Sequence, residues 1–144
     1  MNKFLQKSIM ITLVFVLKIT LFLVIVNVWV FRFKKPTPYR GGQATTMTEE
    51  FISYNLPAFM LYLVGALKML AASALLLSLF IVNELTPLLV EYSLYTMCLL
   101  MVGAILMHIK ISDPLIKSLP AFLMLVISLA ILFLNLKRRG HFLQ

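Results

Sequence analysis

The sequence has little of two things that most soluble domains contain, namely charge and cysteine. Only 12% of its 144 residues are charged and five are acidic, whereas about a quarter of a soluble domain is charged. The single cysteine, Cys98, lies within an apolar run, which excludes an intrachain disulfide and a Cys/His metal site. Cys98 is expected to pack as a small apolar residue.

The sequence also lacks a recognisable set of catalytic residues. Both histidines lie near polar edges, and no serine or cysteine has an evident base. The sequence contains no glycine-rich phosphate loop and no dinucleotide fingerprint. Met97 and Met101 have a four-residue spacing, but they lie deep in an apolar run and indicate packing rather than a metal site. An enzyme that acts alone is therefore not expected.

Long hydrophobic runs are what the sequence does have. Hydrophobic residues make up 62% of the chain, and its mean hydropathy is +1.01. They form blocks that predict membrane spans at about residues 9–31, 57–80, 87–109 and 119–136. Each span must be helical, because lipid offers no partner for backbone polar groups. The prediction is a single all-α domain over residues 1–144, a transmembrane four-helix bundle in which short connections make neighbouring helices antiparallel.

The formal net charge of +8 would suggest nucleic-acid binding in a soluble protein. Here the cations cluster at the ends of apolar runs, as Arg32, Lys34 and Lys35 do, and this placement fits lipid head groups. No nucleic-acid partner is expected, and the bilayer is the expected surroundings. The two sides of the membrane carry five and six cations, so the orientation stays open under the positive-inside rule.

The longest polar segment, residues 34–56, contains a helix start. Thr46 followed by Glu49 matches a capping box, which predicts a short helix over residues 47–54. Phe51 and Tyr54, three residues apart, could lie together on the membrane surface. The alternative is an ordinary ordered loop helix without a task.

Charged residues within the predicted spans form a candidate polar site: Lys18, Lys68 and Glu91. Lys68 shares a helix face with Gly65 and Ala72, so it is expected to face protein rather than lipid. Counting along antiparallel spans places Lys18 and Lys68 at similar depth, with Glu91 about 10 Å nearer the membrane edge. Two interpretations stay open: a Lys68–Glu91 ion pair that fixes packing, or a pocket for an anionic or quinone-like ligand or a proton path.

A second candidate site lies at the membrane edge, where His108, Lys110, Asp113 and Pro114 follow one another. A histidine there could titrate near neutral pH. It could instead cap its helix or bond a loop carbonyl. Asp113 and Pro114 are typical of a helix start.

Three stretches carry a family resemblance: YNLP at residues 54–57, YLVGALKMLAA at residues 62–72 and GAILMHIKISDPLIKS at residues 103–118. They resemble the small DoxX-like membrane proteins over about residues 41–136. The resemblance implies a four-span bundle. Some such proteins are subunits of a thiosulfate:quinone oxidoreductase, others are tied to bacterial membrane redox complexes, and an animal relative is an assembly chaperone for nicotinic receptors.

These roles differ in class, so the fold alone does not choose among them. The favoured hypothesis is a non-catalytic subunit or accessory of a quinone-linked redox system in a bacterial-type plasma membrane. A quinone is then the possible cofactor, and other membrane proteins or a redox complex are the expected partners. The alternatives are an assembly chaperone for membrane proteins and a transporter of small molecules or protons.

Overall fold

The computed structural model describes residues 3–140, and these form five α-helices. The helices are α1 (Lys3–Val26), α2 (Met47–Ser53), α3 (Ala58–Leu77), α4 (Thr86–Lys110) and α5 (Leu115–Gly140), and a π-helical turn (Asn27–Phe31) extends α1. Four segments are long and apolar enough to cross a membrane: Phe4–Phe31, Ala58–Leu77, Thr86–Lys110 and Leu115–Lys137. The predicted all-α transmembrane four-helix bundle is confirmed.

The four long helices pack in a closed ring. α1 contacts α3 and α5, α3 also contacts α4, and α4 contacts α5. Two contacts fix the direction of α3 against α1: Trp29 packs at Gly65, and Lys18 bonds Ser78. A later residue of α1 thus meets an earlier residue of α3, so the two helices are antiparallel.

Three span boundaries differ from the prediction by three residues or more, and one of them is the start of the first span, at Phe4 rather than at residue 9. The second span ends at Leu77 rather than at residue 80, where the chain turns. The fourth begins at Leu115 rather than at residue 119, because the helix starts directly after Pro114 and continues through Pro120. Pro120 lies near the helix start, where its missing N–H removes only one backbone bond.

The bundle has two different ends. We call the end that contains residues 32–57 and the turn between α4 and α5 the loop end, and the opposite end the terminal end. Between them lies a fully buried apolar layer, with one residue from each long helix, which we call the seal layer: Leu21, Leu75, Met97 and Ile131. A cavity lies at each end of the bundle, and no seal-layer residue lines either of these two cavities.

Candidate functional site

Helix α2 starts with the predicted capping box. Thr46 Oγ1 accepts a hydrogen bond from the Glu49 N–H, and Glu49 Oε2 accepts one from the Thr46 N–H, both at 3.3 Å. The Glu49 carboxylate also accepts from the backbone and hydroxyl of Thr45, and these bonds hold the pKa of Glu49 below its ordinary value. The prediction of this helix is confirmed, with its end at Ser53 rather than at residue 54.

Of the two interpretations of this helix, the structure does not support the one that places Phe51 and Tyr54 on the membrane surface. Both side chains are buried, because α2 folds back and packs against the first turns of α3. Phe51 lies edge-on to Trp29, with ring centroids 6.2 Å apart. Tyr54 makes a similar contact with His108 at 5.7 Å. α2 therefore closes the loop end of the bundle.

A buried ion pair joins α2 to the preceding loop. Arg40 Nη1 donates to Glu50 Oε2 at 2.8 Å, and Arg40 Nη2 donates to the Arg32 carbonyl at 2.6 Å. The other carboxylate oxygen, Glu50 Oε1, accepts from the Gly41 N–H at 2.9 Å and from the Tyr54 hydroxyl at 3.0 Å. Glu50 thus accepts bonds on both oxygens, as a buried carboxylate must.

The prediction from sequence did not include Arg40 and Glu50. One signal was available for Glu50, because it stands four residues before Tyr54 and so shares its helix face. Arg40 offered no such signal, because it lies in a loop whose path depends on tertiary contacts.

The structure brings the predicted membrane-edge residues together. His108 Nδ1 lies 2.8 Å from Asp113 Oδ2, and Lys117 Nζ lies 3.2 Å from Asp113 Oδ1. Asp113 also accepts from the Gly42 N–H, at 3.0 and 3.2 Å to its two oxygens. Lys110 Nζ donates to the Tyr54 carbonyl at 2.8 Å. These bonds fasten the loop to the turn between α4 and α5.

Asp113 is the centre of this network. Burial raises the pKa of its carboxyl, but the bonds from His108, Gly42 and Lys117 outweigh burial, so the pKa of Asp113 lies below its ordinary value. Because an ionised carboxylate only accepts, we assign the proton of His108 to Nδ1. Burial also raises the pKa of Tyr54, and the adjacent Glu50 carboxylate raises it further. The Tyr54 hydroxyl therefore stays protonated as a donor.

Lys68 faces protein, as predicted, but its partner is different. Its Nζ lies 5.4 Å from the ring centroid of Trp29, within the range of a cation–π contact. Trp29 fits there because Gly65 has no side chain: a Cβ on Gly65 would lie 2.6 Å from Trp29 Cζ3. The π-helical turn that carries Trp29 is a feature often found at functional sites.

These groups border a loop-end cavity of about 480 Å³. Its polar end is formed by Arg40, Glu50, Tyr54, Lys68 and His108. Its walls are mostly apolar and include Val24, Ile25, Val28, Trp29, Met101 and Met124. The arrangement can hold an apolar body and hydrogen-bond a polar head group at one end.

The predicted approach of Lys68 to Glu91 is wrong, because the two residues line different cavities. Glu91 borders a terminal-end cavity of about 470 Å³ together with Lys18 and Asn135. Lys18 Nζ donates to Ser78 Oγ at 2.8 Å, and the Tyr95 hydroxyl donates to Glu91 Oε1 at 2.9 Å.

The prediction that the two lysines lie at similar depth is also wrong. Lys18 lies at the level of Ser78, ten positions along α3 from Lys68, or about 15 Å at 1.5 Å per residue. The register shifts because α2 covers the first turns of α3, so α1 meets α3 further along. Leu61 packs in the cluster that contains Phe51. Lys18 and Lys68 therefore do not form one polar site.

Comparison with known proteins assigns a family. The model of the DoxX-like family matches residues 40–131, which include α2, α3, α4 and the first part of α5. The chain therefore belongs to the DoxX-like family, and it is a multi-pass membrane protein. No curated protein and no solved structure matches it. The matched range begins at Arg40 and contains every charged residue at the polar end of the loop-end cavity.

Proposed function

We propose that this member of the DoxX-like family is a non-catalytic subunit or accessory of a quinone-linked redox system in the plasma membrane. The observation that carries the proposal is the loop-end cavity, with apolar walls and one polar end. Its volume of about 480 Å³ is within the range of small-molecule sites, roughly 300–1,000 Å³.

A quinone fits the chemistry of this cavity. Its ring is flat and apolar, and its carbonyl oxygens accept hydrogen bonds. Trp29 and Phe51 offer aromatic faces and edges on the cavity wall. Lys68 and His108 lie at the polar end, where donors for the carbonyl oxygens are needed. The isoprenoid tail would leave between the helices toward lipid, as a tail of a membrane quinone must.

The role we assign to the chain is binding and orientation. The residues of the polar end hold one another by hydrogen bonds, and this preorganises them for a head group. We assign the electron carriers to a partner protein. Large apolar side chains on the outer faces of the spans, such as Phe59 and Tyr62, would contact that partner or lipid.

The test is the quinone content of the protein purified from membranes in mild detergent. We expect bound quinone in the organic extract of the wild type and its loss in Lys68→Met, which removes the cation beside Trp29. Lys18→Met is the matched control, because it removes the other intramembrane lysine and leaves the loop-end cavity intact. It should retain the quinone.

The same preparation tests the accessory role. An oxidoreductase or another quinone-linked membrane protein should copurify with the wild type. A wild-type extract without quinone, together with no redox partner in the purified material, would contradict the proposal. Equal loss of quinone in both lysine variants would show that the loop-end cavity does not select the ligand.

A further inference from the structure

Arg40 is a buried cation whose terminal nitrogens and Nε differ in their partners. Its side chain is 5% exposed, its Nη1 donates to Glu50 Oε2 and to Met47 Sδ, and its Nη2 donates to the Arg32 carbonyl. Its Nε is buried and has no hydrogen-bond partner in the part of the chain that the structure describes. A buried donor without an acceptor is destabilising, and more so when it belongs to a charged group. Arg40 borders the loop-end cavity, which is where an acceptor could lie.

The charge around the same cavity favours an anion. Its lining contains four cationic residues, Arg32, Arg40, Lys68 and Lys117, against one carboxylate, that of Glu50. Asp113, which pairs with Lys117, is a second carboxylate nearby. The formal excess is then two positive charges, or one when the exposed Arg32 is left out. An excess of charge next to a membrane interior is costly unless a counter-charge joins it.

The remaining walls exclude a ligand that is polar throughout. Apolar residues from α1, α4 and α5 line the cavity beyond its polar end, among them Val24, Ile25, Met101 and Met124. A small free anion would fill only the polar end and leave these walls without contacts. A ligand with an apolar body fills both parts.

We propose that the loop-end cavity takes an anionic amphiphile, whose oxyanion head accepts from Arg40 Nε–H and whose apolar body lies along the walls. This inference rests on the proposed function in taking the loop-end cavity as the ligand site, and it narrows the ligand class. An ionised lipid carboxylate and the phenolate oxygen of a reduced quinone share this chemistry. Arg40 is the residue that distinguishes such a ligand from a neutral one.

The single tryptophan of the sequence, Trp29, lines the cavity and serves as the reporter. The probes are dibromostearate, whose bromines quench tryptophan, and its methyl ester, which has the same tail and no charge. Both are titrated into the wild type in detergent at a pH that ionises the acid. We expect the acid to quench Trp29 at a concentration about tenfold lower than the ester, as one charge-assisted bond provides. Equal quenching by both probes would overturn the proposal.

Variants assign the effect to Arg40. Arg40→Lys keeps the charge and removes the Nε–H, so binding of the acid should weaken about tenfold and binding of the ester should not change. Glu50→Gln removes the carboxylate that lines the cavity and should tighten binding of the acid, a gain that misfolding would not produce. Lys34→Met, at an exposed lysine outside the cavity, should have no effect. Acid binding unchanged in both Arg40→Lys and Glu50→Gln would contradict the role of Arg40.

Three further outcomes separate this inference from binding of a free anion and from the proposed function. If acetate relieves the quenching by the acid, a free anion is sufficient for binding. That result would overturn the proposal that the ligand is an amphiphile. Selective acid binding in a protein that purifies without quinone would refute the proposed function and support this inference. Copurified quinone that Arg40→Lys retains in full, with equal quenching by acid and ester, would support the proposed function and refute this inference.

Discussion

The two ends of the bundle are alike in outline and different in construction. Each has a cavity of similar volume, about 480 and 470 Å³, and each cavity is lined by one of the two lysines of the polar site predicted from sequence, Lys68 or Lys18. At the terminal end, Lys18 bonds Ser78 directly across two helices. At the loop end, a folded-back segment brings Arg40, Glu50 and Tyr54 over the cavity that contains Lys68. The loop end thus depends on bonds made by a folded-back segment, whereas the Lys18–Ser78 bond joins two long helices directly.

A four-span bundle can therefore have similar cavities at its two ends that are built from different contacts. The seal layer contributes one fully buried apolar residue from each long helix between the two cavities. A continuous polar path through the bundle would have to cross this layer. The two lysines belong to separate sites, and substitutions at one end should leave the other end unchanged.

Among substitutions at the two ends, Asp113→Asn at the loop end is expected to lower the free energy of unfolding most. The substitution removes the carboxylate that accepts from His108, Gly42 and Lys117, and so breaks a buried charged network. We expect a loss of about 2–3 kcal/mol in the free energy of unfolding, because the bonds are part-buried and Lys117 keeps its bond to the Gly42 carbonyl. Denaturation in mixed detergent micelles, followed by Trp29 fluorescence, measures it.

The control is Glu84→Gln, at an exposed acidic residue in the terminal-end loop. It should change the free energy of unfolding by less than about 0.5 kcal/mol. Equal destabilisation by the two substitutions would mean that loss of negative charge, and not the network around Asp113, determines the effect.

The pH dependence of the free energy of unfolding is a second test of the network around Asp113. The folded pKa of Asp113 lies below its ordinary value, so its stabilisation is fully present above the unfolded pKa of about 3.9. It is lost as the pH falls through the lower, folded pKa. The difference in stability between wild type and Asp113→Asn should therefore be constant near neutral pH and shrink in strong acid. A difference that persists in acid would contradict the ionised network.

A smaller effect is expected from Gly65→Ala. The added Cβ would lie 2.6 Å from Trp29 Cζ3, and Trp29 is held on its other sides by Phe33 and Phe51. We expect destabilisation of about 1–3 kcal/mol and a shift in the emission of Trp29. Denaturation and the emission spectrum report both.

Gly103→Ala is the matched control for this substitution, because a Cβ there meets nothing within 4 Å. It should be neutral or stabilise α4 by roughly 0.5–1 kcal/mol, since alanine favours a helix over glycine. If both substitutions had the same effect, the close packing of Trp29 on α3 would be refuted.

The smallest effect is expected from Ser78→Ala at the terminal end. The substitution removes the hydroxyl that accepts from Lys18, and we expect a loss of about 1 kcal/mol. The emission of Trp29 and the binding of ligand at the loop end should not change, because the seal layer lies between. A change in either signal would show that the two ends are coupled.

The sequence predicts the elements of this fold well, because each is encoded locally. The four apolar runs, the Thr46–Glu49 capping box and the helix start after Pro114 are all patterns of neighbouring residues. His108 and Asp113, whose side chains bond each other, likewise stand only five positions apart. Interactions between residues close in sequence determine these features.

The site was less predictable, because it depends on how separate segments pack. The inward turn of α2 buries Tyr54 and shifts α1 along α3, so Lys18 reaches Ser78 rather than the level of Lys68. No local pattern encodes that register. Arg40 joins the site only because the loop folds back to Glu50, a contact between residues ten positions apart.

The most direct test of the central claim, that the loop-end cavity is the ligand site, is the fluorescence of Trp29 during titration with a short-tailed quinone in lipid nanodiscs. We predict saturable quenching in the wild type and in Lys18→Met, and a loss of saturation in Lys68→Met. Quenching that rises linearly with quinone in all three proteins would reflect partition into lipid alone and would contradict the claim.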